Sequence, residues 1–86
     1  MIHLRDEGLF WRESGGEVVA VDAEVSRYFA ANPSATVLWK RLGEGAGEEE
    51  LADALCERYG IERDLAERDV KAFLEVLSAR GLLERS

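Results

Sequence analysis

Few side chains in this 86-residue chain are suited to catalysis or metal binding. Cys56 and His3 are its only cysteine and histidine, so the sulfur and imidazole ligands of a zinc site are lacking. The acidic run at residues 48–50 suits a helix start, where the dipole favours carboxylates, better than a metal site. No serine lies in a Gly-x-Ser-x-Gly context, and no nucleophile, base and orienting group can be assembled. The sequence therefore favours binding over catalysis and predicts no cofactor.

The charge balance limits the classes of partner. The chain carries 11 basic and 18 acidic residues, a net charge of −7. Binding to nucleic acid requires clustered Lys and Arg that displace counterions, so nucleic acid is disfavoured. No apolar run approaches the roughly 18 residues that cross a bilayer, and no signal segment opens the chain. We therefore expect one small domain over residues 1–86, located in the cytoplasm, with no membrane partner.

The first third of the chain has the composition of β-strands. Residues 8–13, 17–21 and 25–30 are rich in β-branched and aromatic residues and are separated by short turns. Gly15 and Gly16 permit the positive φ that a tight hairpin requires. These segments predict a three-stranded antiparallel meander. A further short extended segment is expected at residues 2–5.

Three helices are predicted in the remaining sequence. Asn32 is a good N-cap and Pro33 suits the first helical position, so the first helix should cover residues 33–42. The glycine-rich segment 43–47 lacks the Lys-Ser/Thr of a phosphate loop and is interpreted as a connector. The second helix should cover 48–59, and the third 64–80. The fold class is therefore α+β, a three-stranded antiparallel sheet followed by three helices.

The third predicted helix has more apolar surface than one core contact requires. At about 100° per residue, Ala66, Val70, Phe73 and Leu77 form a core face, with Leu74 at its edge. A second strip, called here the apolar flank, consists of Leu65, Ala72, Val76 and Ala79. Two interpretations are open: the flank packs against the sheet or Leu82 and Leu83, or it forms a groove with the edge of the third predicted strand.

Several short motifs, taken in order, resemble the PqqD-like family. They are Arg27-Tyr28-Phe29, Asn32-Pro33-Ser34-Ala35, Leu38-Trp39, Asp69, Phe73-Leu74 and Arg80-Gly81-Leu82-Leu83. The resemblance extends from about residue 8 to residue 84. Members of this family are recognition elements that bind the leader peptides of ribosomally made natural products. The strand that runs into Asn-Pro-Ser and Leu-Trp is most similar to the stand-alone leader-binding proteins of lasso-peptide clusters.

The resemblance implies a winged helix-turn-helix-like fold whose third strand and third helix hold the leader as an added antiparallel strand. It also implies partners: the leader region of a precursor peptide, a separate leader peptidase and an ATP-dependent cyclase. The implied peptide-binding residues are Arg27, Tyr28, Phe29 and Ala30 on the strand, and Asp69, Ala72, Phe73, Val76 and Arg80 on the helix.

These residues have different implied roles. Backbone groups of the strand would pair with the leader, while Ala72 and Val76, with Phe73, would form the floor of an apolar pocket. Asp69 and Arg80 would make charged contacts at its rim. Successive strand residues point to opposite faces, so only one of the two strand aromatics can line the pocket. The sequence leaves open which one does.

Two other functions are compatible with the same elements. A peptide chaperone that delivers a precursor to a radical-SAM enzyme, as in pyrroloquinoline quinone synthesis, would share the fold. A winged-helix DNA-binding regulator would also combine three helices with a small sheet. The mixed charge of the third helix is unfavourable for phosphate contact.

Overall fold

Strands precede the helices along the chain, and one more strand follows them. The computed structural model describes residues 1–85. The elements are β1 (Ile2–Leu4), β2 (Leu9–Ser14), β3 (Glu17–Asp22), β4 (Arg27–Ala30), α1 (Pro33–Glu44), α2 (Glu48–Tyr59), α3 (Arg63–Ala79) and β5 (Leu83–Arg85). Strands β2, β3 and β4 form an antiparallel sheet in chain order. The predicted α+β fold, with a meander followed by three helices, is confirmed.

A second, two-stranded sheet joins the two ends of the described chain. Strand β1 pairs antiparallel with β5, so that Ile2 lies opposite Arg85 and Leu4 opposite Leu83. Ile2 also exchanges two backbone hydrogen bonds with Ala46 after α1. The sequence predicted β1 only as an extended segment and did not predict β5. A three-residue strand carries too little alternation to be recognised without its partner.

The corner between β4 and α1 is fixed by local hydrogen bonds. The side-chain oxygen of Asn32 accepts the backbone N–H of Ala35 at 2.9 Å, which confirms the predicted cap. The Thr36 hydroxyl accepts the N–H of Val18 at 2.9 Å and donates to the carbonyl of Ala31 at 3.2 Å. This hydroxyl ties α1 to the end of the β3–β4 pair, and so the start of the helix positions the strand.

Strand β4 starts later than the sequence predicted. Residues 23–26 form a turn in which Ser26 has a φ of +53°. A left-handed residue does not continue a strand, so β4 begins at Arg27 rather than at Val25. The strand is consequently only four residues long.

The core lies between the sheet and the helices, with Trp39 of α1 fully buried in it. The buried face of α3 consists of Ala66, Val70, Leu74 and Leu77. The prediction that Phe73 belongs to this face and Leu74 to its edge is wrong, since Leu74 is buried and Phe73 half-buried. Helical spacing gives the angle between residues but not the position of the neighbouring elements. Within residues 1–85, no helix is long and apolar enough to cross a membrane.

Candidate functional site

Within residues 1–85, strand β4 forms one edge of the three-stranded sheet and pairs on one side alone, with β3. In an antiparallel ladder, successive residues direct their backbone groups alternately toward and away from the partner strand. The N–H of Ala31 donates to the carbonyl of Val18 at 2.9 Å, which sets the phase of this alternation. Phe29 therefore bonds toward β3, whereas Tyr28 and Ala30 direct their N–H and C=O groups to the open edge.

The two aromatic residues of β4 point to opposite faces of the sheet. Phe29 points inward, where its ring stacks on Trp39 with centroids 5.3 Å apart. It also lies 6.4 Å from the ring of Phe73 on α3. Tyr28 points outward and is 76% exposed. Of the two candidates that the sequence left open, Phe29 is the one that faces α3.

The apolar flank of α3 is uncovered. Val76 is 46% exposed, Leu65 is also exposed, and so are Ala72 and Ala79. Leu82, a suggested cover for the flank, is itself buried in the core. Val76 follows Phe73 by three residues and precedes Arg80 by four, so it lies between them on the helix surface. Within residues 1–85, the flank is thus free to contact another molecule.

Two hollows lie next to α3. One is between β4 and the end of α3, and the other is between α3 and the start of α1. The first has a volume of about 320 Å³ and contains Arg27, Tyr28, Phe29 and Arg80 from the predicted set. Its other lining residues lie outside the predicted peptide-binding set, although Ala79 belongs to the apolar flank. They are Leu9, Ala20, Asp22, Val25, Ala79 and Leu82.

The second hollow has a volume of about 300 Å³ and contains Asp69, Ala72 and Phe73 from the predicted set. It is completed by residues at the start of α1 and on its inner side, with one from α2: Asn32, Ser34, Ala35, Leu38 and Leu55. Ala30 and Val76 line neither hollow. Phe29 of the first hollow and Phe73 of the second form the aromatic contact described above.

Arg5 connects two walls of the first hollow. Its guanidinium donates to the carboxylate of Asp22 at 2.6 Å and to the carbonyl of Gly81 at 2.9 Å. The hydrogen bond from Arg5 lowers the pKa of Asp22, and the same bond raises the pKa of Arg5. The end of β3 is thereby joined to the end of α3. The sequence did not indicate this role, because Arg5 and Gly81 are 76 positions apart.

The polar side chains that the structure describes in this region do not form a metal site. Within residues 1–85, no group of three or more His, Cys, Asp or Glu side chains is arranged to hold a metal ion. Cys56 is a free, half-buried thiol packed against the core. What β4 and α3 do offer is unpaired backbone next to apolar surface, which suits an extended peptide.

Comparison with known proteins gives the family. Residues 17–83 match the family described as "Coenzyme PQQ synthesis protein D (PqqD)". The chain belongs to the PqqD family. The matched region begins at β3 and ends in β5, so it includes β4, α3 and nearly all the residues of both hollows. Arg5 and Leu9 lie before it, in a part of this PqqD-family chain that the family match does not cover.

Two solved structures are similar to the chain over nearly its whole length. One, described as "TbiB1 in Complex with the TbiA(beta) Leader Peptide", has a TM-score of 0.86 and 31% identity, with 94% of each chain covered. The other, described as "Lasso peptide synthetase B1 complexed with the leader peptide", has a TM-score of 0.85 and 26% identity, with 98% of each chain covered. No curated protein matches the sequence.

Proposed function

We propose that this PqqD-family protein binds the leader peptide of a ribosomally made precursor as an additional strand on β4. The observation that carries the proposal is the open edge of β4 beside the uncovered apolar flank of α3. The backbone groups of Tyr28 and Ala30 would pair with the leader. Leader side chains on the α3 side would contact Phe29, Val76 and the two hollows.

The class of precursor follows from the two solved relatives. Both are described as complexes with a leader peptide, and one is described as lasso peptide synthetase B1. The second of these relatives favours a lasso-peptide precursor over the alternative, a precursor delivered to a radical-SAM enzyme. The family description, which names coenzyme PQQ synthesis, keeps that alternative in second place. The net charge of −7 argues against a DNA-binding regulator.

In this proposal the chain holds the precursor and does not process it. A separate leader peptidase would cut the bound precursor, and an ATP-dependent cyclase would close the ring. The proposed contact residues are Arg27, Tyr28, Phe29, Ala30, Asp69, Ala72, Phe73, Val76 and Arg80. The role of the domain is to raise the local concentration of the precursor near these enzymes.

A proline substitution at the open edge tests the proposal directly. Ala30→Pro removes a backbone N–H that points away from β3, and proline is tolerated in edge strands in this position. Its matched control is Glu13→Pro on β2, whose N–H also points away from β3 but at the opposite edge of the sheet. The probe is a fluorescein-labelled synthetic leader of the precursor encoded beside this gene.

Fluorescence polarisation should show saturable binding to the unsubstituted protein and to Glu13→Pro. Ala30→Pro should bind about tenfold or more weakly, because one leader carbonyl loses its donor and meets the proline ring. Circular dichroism melts identify any variant that has failed to fold. Absence of saturable binding by the unsubstituted protein, or equal losses in both variants, would overturn the proposal.

A further inference from the structure

Two arginines of the first hollow have no acidic partner among residues 1–85. Within residues 1–85, the ion pairs of basic side chains involve Arg5, Lys40 and Arg63, but neither Arg27 nor Arg80. Arg80 lies over the ring of Phe29, 5.1 Å from its centroid. Both unpaired guanidinium groups thus belong to the same hollow.

The acidic residue that pairs with Arg27 across the sheet already has hydrogen-bond donors of its own. Asp22 lies directly across from Arg27 in the β3–β4 register. Its carboxylate, however, accepts hydrogen bonds from Arg5 at 2.6 Å and from the backbone N–H of Glu24 at 3.1 Å. The carboxylate of Glu24 also lies toward Arg5, at 3.8 Å. The hollow therefore has a local excess of positive charge in a chain whose net charge is −7.

We propose that the first hollow binds a carboxylate side chain of the leader, an Asp or Glu, between Arg27 and Arg80. This inference rests on the proposed function. Guanidinium groups form short, charge-assisted hydrogen bonds with carboxylates, and two of them can satisfy both oxygens. Residues directly opposite on antiparallel strands share a face of the sheet. The carboxylate therefore belongs to the leader residue that pairs across from Arg27.

The second hollow carries negative rather than positive charge. An acidic leader residue is therefore favoured only at the end of the site that contains the first hollow. The second hollow contains Asp69, for which the described residues provide no ion pair. A leader carboxylate at that end would be repelled, whereas one at the first hollow would be attracted. The position of an acidic residue in the leader thus matters more than the leader's total charge.

A double-mutant cycle between leader and protein tests this pairing. The probe is the labelled leader described above, amidated at its C-terminus so that only side-chain carboxylates remain. Each Asp is changed to Asn and each Glu to Gln in turn. The protein variants are Arg27→Gln and Arg80→Gln, with Arg80→Lys as the conservative rescue. The matched control is Arg12→Gln, since Arg12 lies on the outer face of β2 away from the hollows.

A single acidic residue of the leader should account for the loss of affinity in this scan. Its amide variant should bind the unsubstituted protein about tenfold more weakly, and the same loss should follow from Arg27→Gln or Arg80→Gln. Combining the leader and protein changes should cause little further loss, and Arg80→Lys should recover part of it. Arg12→Gln should bind like the unsubstituted protein. The difference in affinity between the leader and its amide variant should also shrink as salt concentration rises.

The two proposals fail in different ways. If the unsubstituted protein binds the leader but every amide variant binds equally well, the carboxylate site is wrong and leader binding stands. Additive losses of affinity in the cycle would also show that the carboxylate site is wrong while leader binding stands. The same conclusion would follow if the variants at positions 27 and 80 bound the leader like Arg12→Gln. If the unsubstituted protein binds no leader, both proposals fail. A free-acid leader that binds more tightly than its amidated form, with a flat amide scan, would assign the arginines to a terminal carboxylate and overturn the side-chain proposal.

Discussion

Helix α3 presents two apolar faces that differ in what lies against them. Leu77 is fully buried, while its neighbour Val76 is 46% exposed. The buried face stabilises the fold by removing apolar surface from water, but the exposed flank contributes little to stability in the free protein. An apolar strip left exposed beside an open strand edge is typical of an interaction surface. Adjacent residues of one helix are therefore divided between the buried core and the surface that we propose for binding.

The largest expected effect is on stability, at the buried face. Leu77→Ala should lower the free energy of unfolding by about 2–5 kcal/mol, because it leaves a cavity in the core. The matched change Val76→Ala should cost less than about 1 kcal/mol, because that side chain is already partly in water. Urea denaturation of both variants measures the difference. Similar losses would show that the two faces are not distinct.

The next effect is on binding, at the exposed flank. Val76→Glu should weaken leader binding by about 100-fold or more, because the leader would bury an unpaired charge. Its free energy of unfolding should change by less than about 1 kcal/mol. Ser78→Glu, which adds the same charge at an exposed position elsewhere on α3, should bind normally. Equal polarisation titrations for Val76→Glu and the unsubstituted protein would place the binding surface elsewhere.

Phe73 lies at the boundary between the two faces, so its removal should affect both properties. The ring is half-buried and contacts Phe29. Phe73→Ala should lower the free energy of unfolding by about 2 kcal/mol, roughly half the loss for a fully buried ring. It should also weaken leader binding by about tenfold, through lost apolar contact. A change in only one of the two measurements would assign Phe73 to a single face.

The smallest expected effect is on stability. It concerns the hydrogen bonds of Arg5 to Asp22 and Gly81, which join the end of α3 to the sheet. The pKa of Asp22 is lowered by Arg5, so the ionised carboxylate stabilises the fold above the ordinary carboxyl pKa of 3.8. This contribution is lost as pH falls through the lowered pKa of the folded state. Asp22→Asn should therefore be less stable than the unsubstituted protein at pH 7, and the difference should shrink below pH 3.8. Urea midpoints across this range provide the measurement, and a constant difference would contradict the assignment.

Local signals predicted the parts of the fold that depend on neighbouring residues. The start of α1 followed from Asn32 and Pro33, because a cap needs only the next few residues. Strand β5 and the role of Arg5 were missed, because each depends on a partner 76 or more positions away. The sequence placed Phe73 in the core and Leu74 at its edge, because helical spacing does not show where the neighbouring elements lie.

The candidate site was predictable in composition but not in arrangement. The family resemblance supplied nine residues, and seven of them line one of the two hollows. Their division between two hollows depends on how α3 lies against β4. Which backbone groups of β4 remain unpaired depends on the phase of the β3–β4 ladder, which the contact of Ala31 with Val18 determines. Neither feature has a signal in the order of the residues.

The aromatic stack beneath β4 has a consequence for detection. The chain has only two tryptophans. Trp39 stacks on Phe29, and Trp11 packs edge-on against Trp39 with ring centroids 6.0 Å apart. Any guest that moves the Phe29 ring would alter the surroundings of the Trp39 indole, which in turn contacts Trp11. Their intrinsic ultraviolet emission is therefore a built-in optical signal for occupancy, which would allow association and dissociation rates to be followed on unlabelled protein.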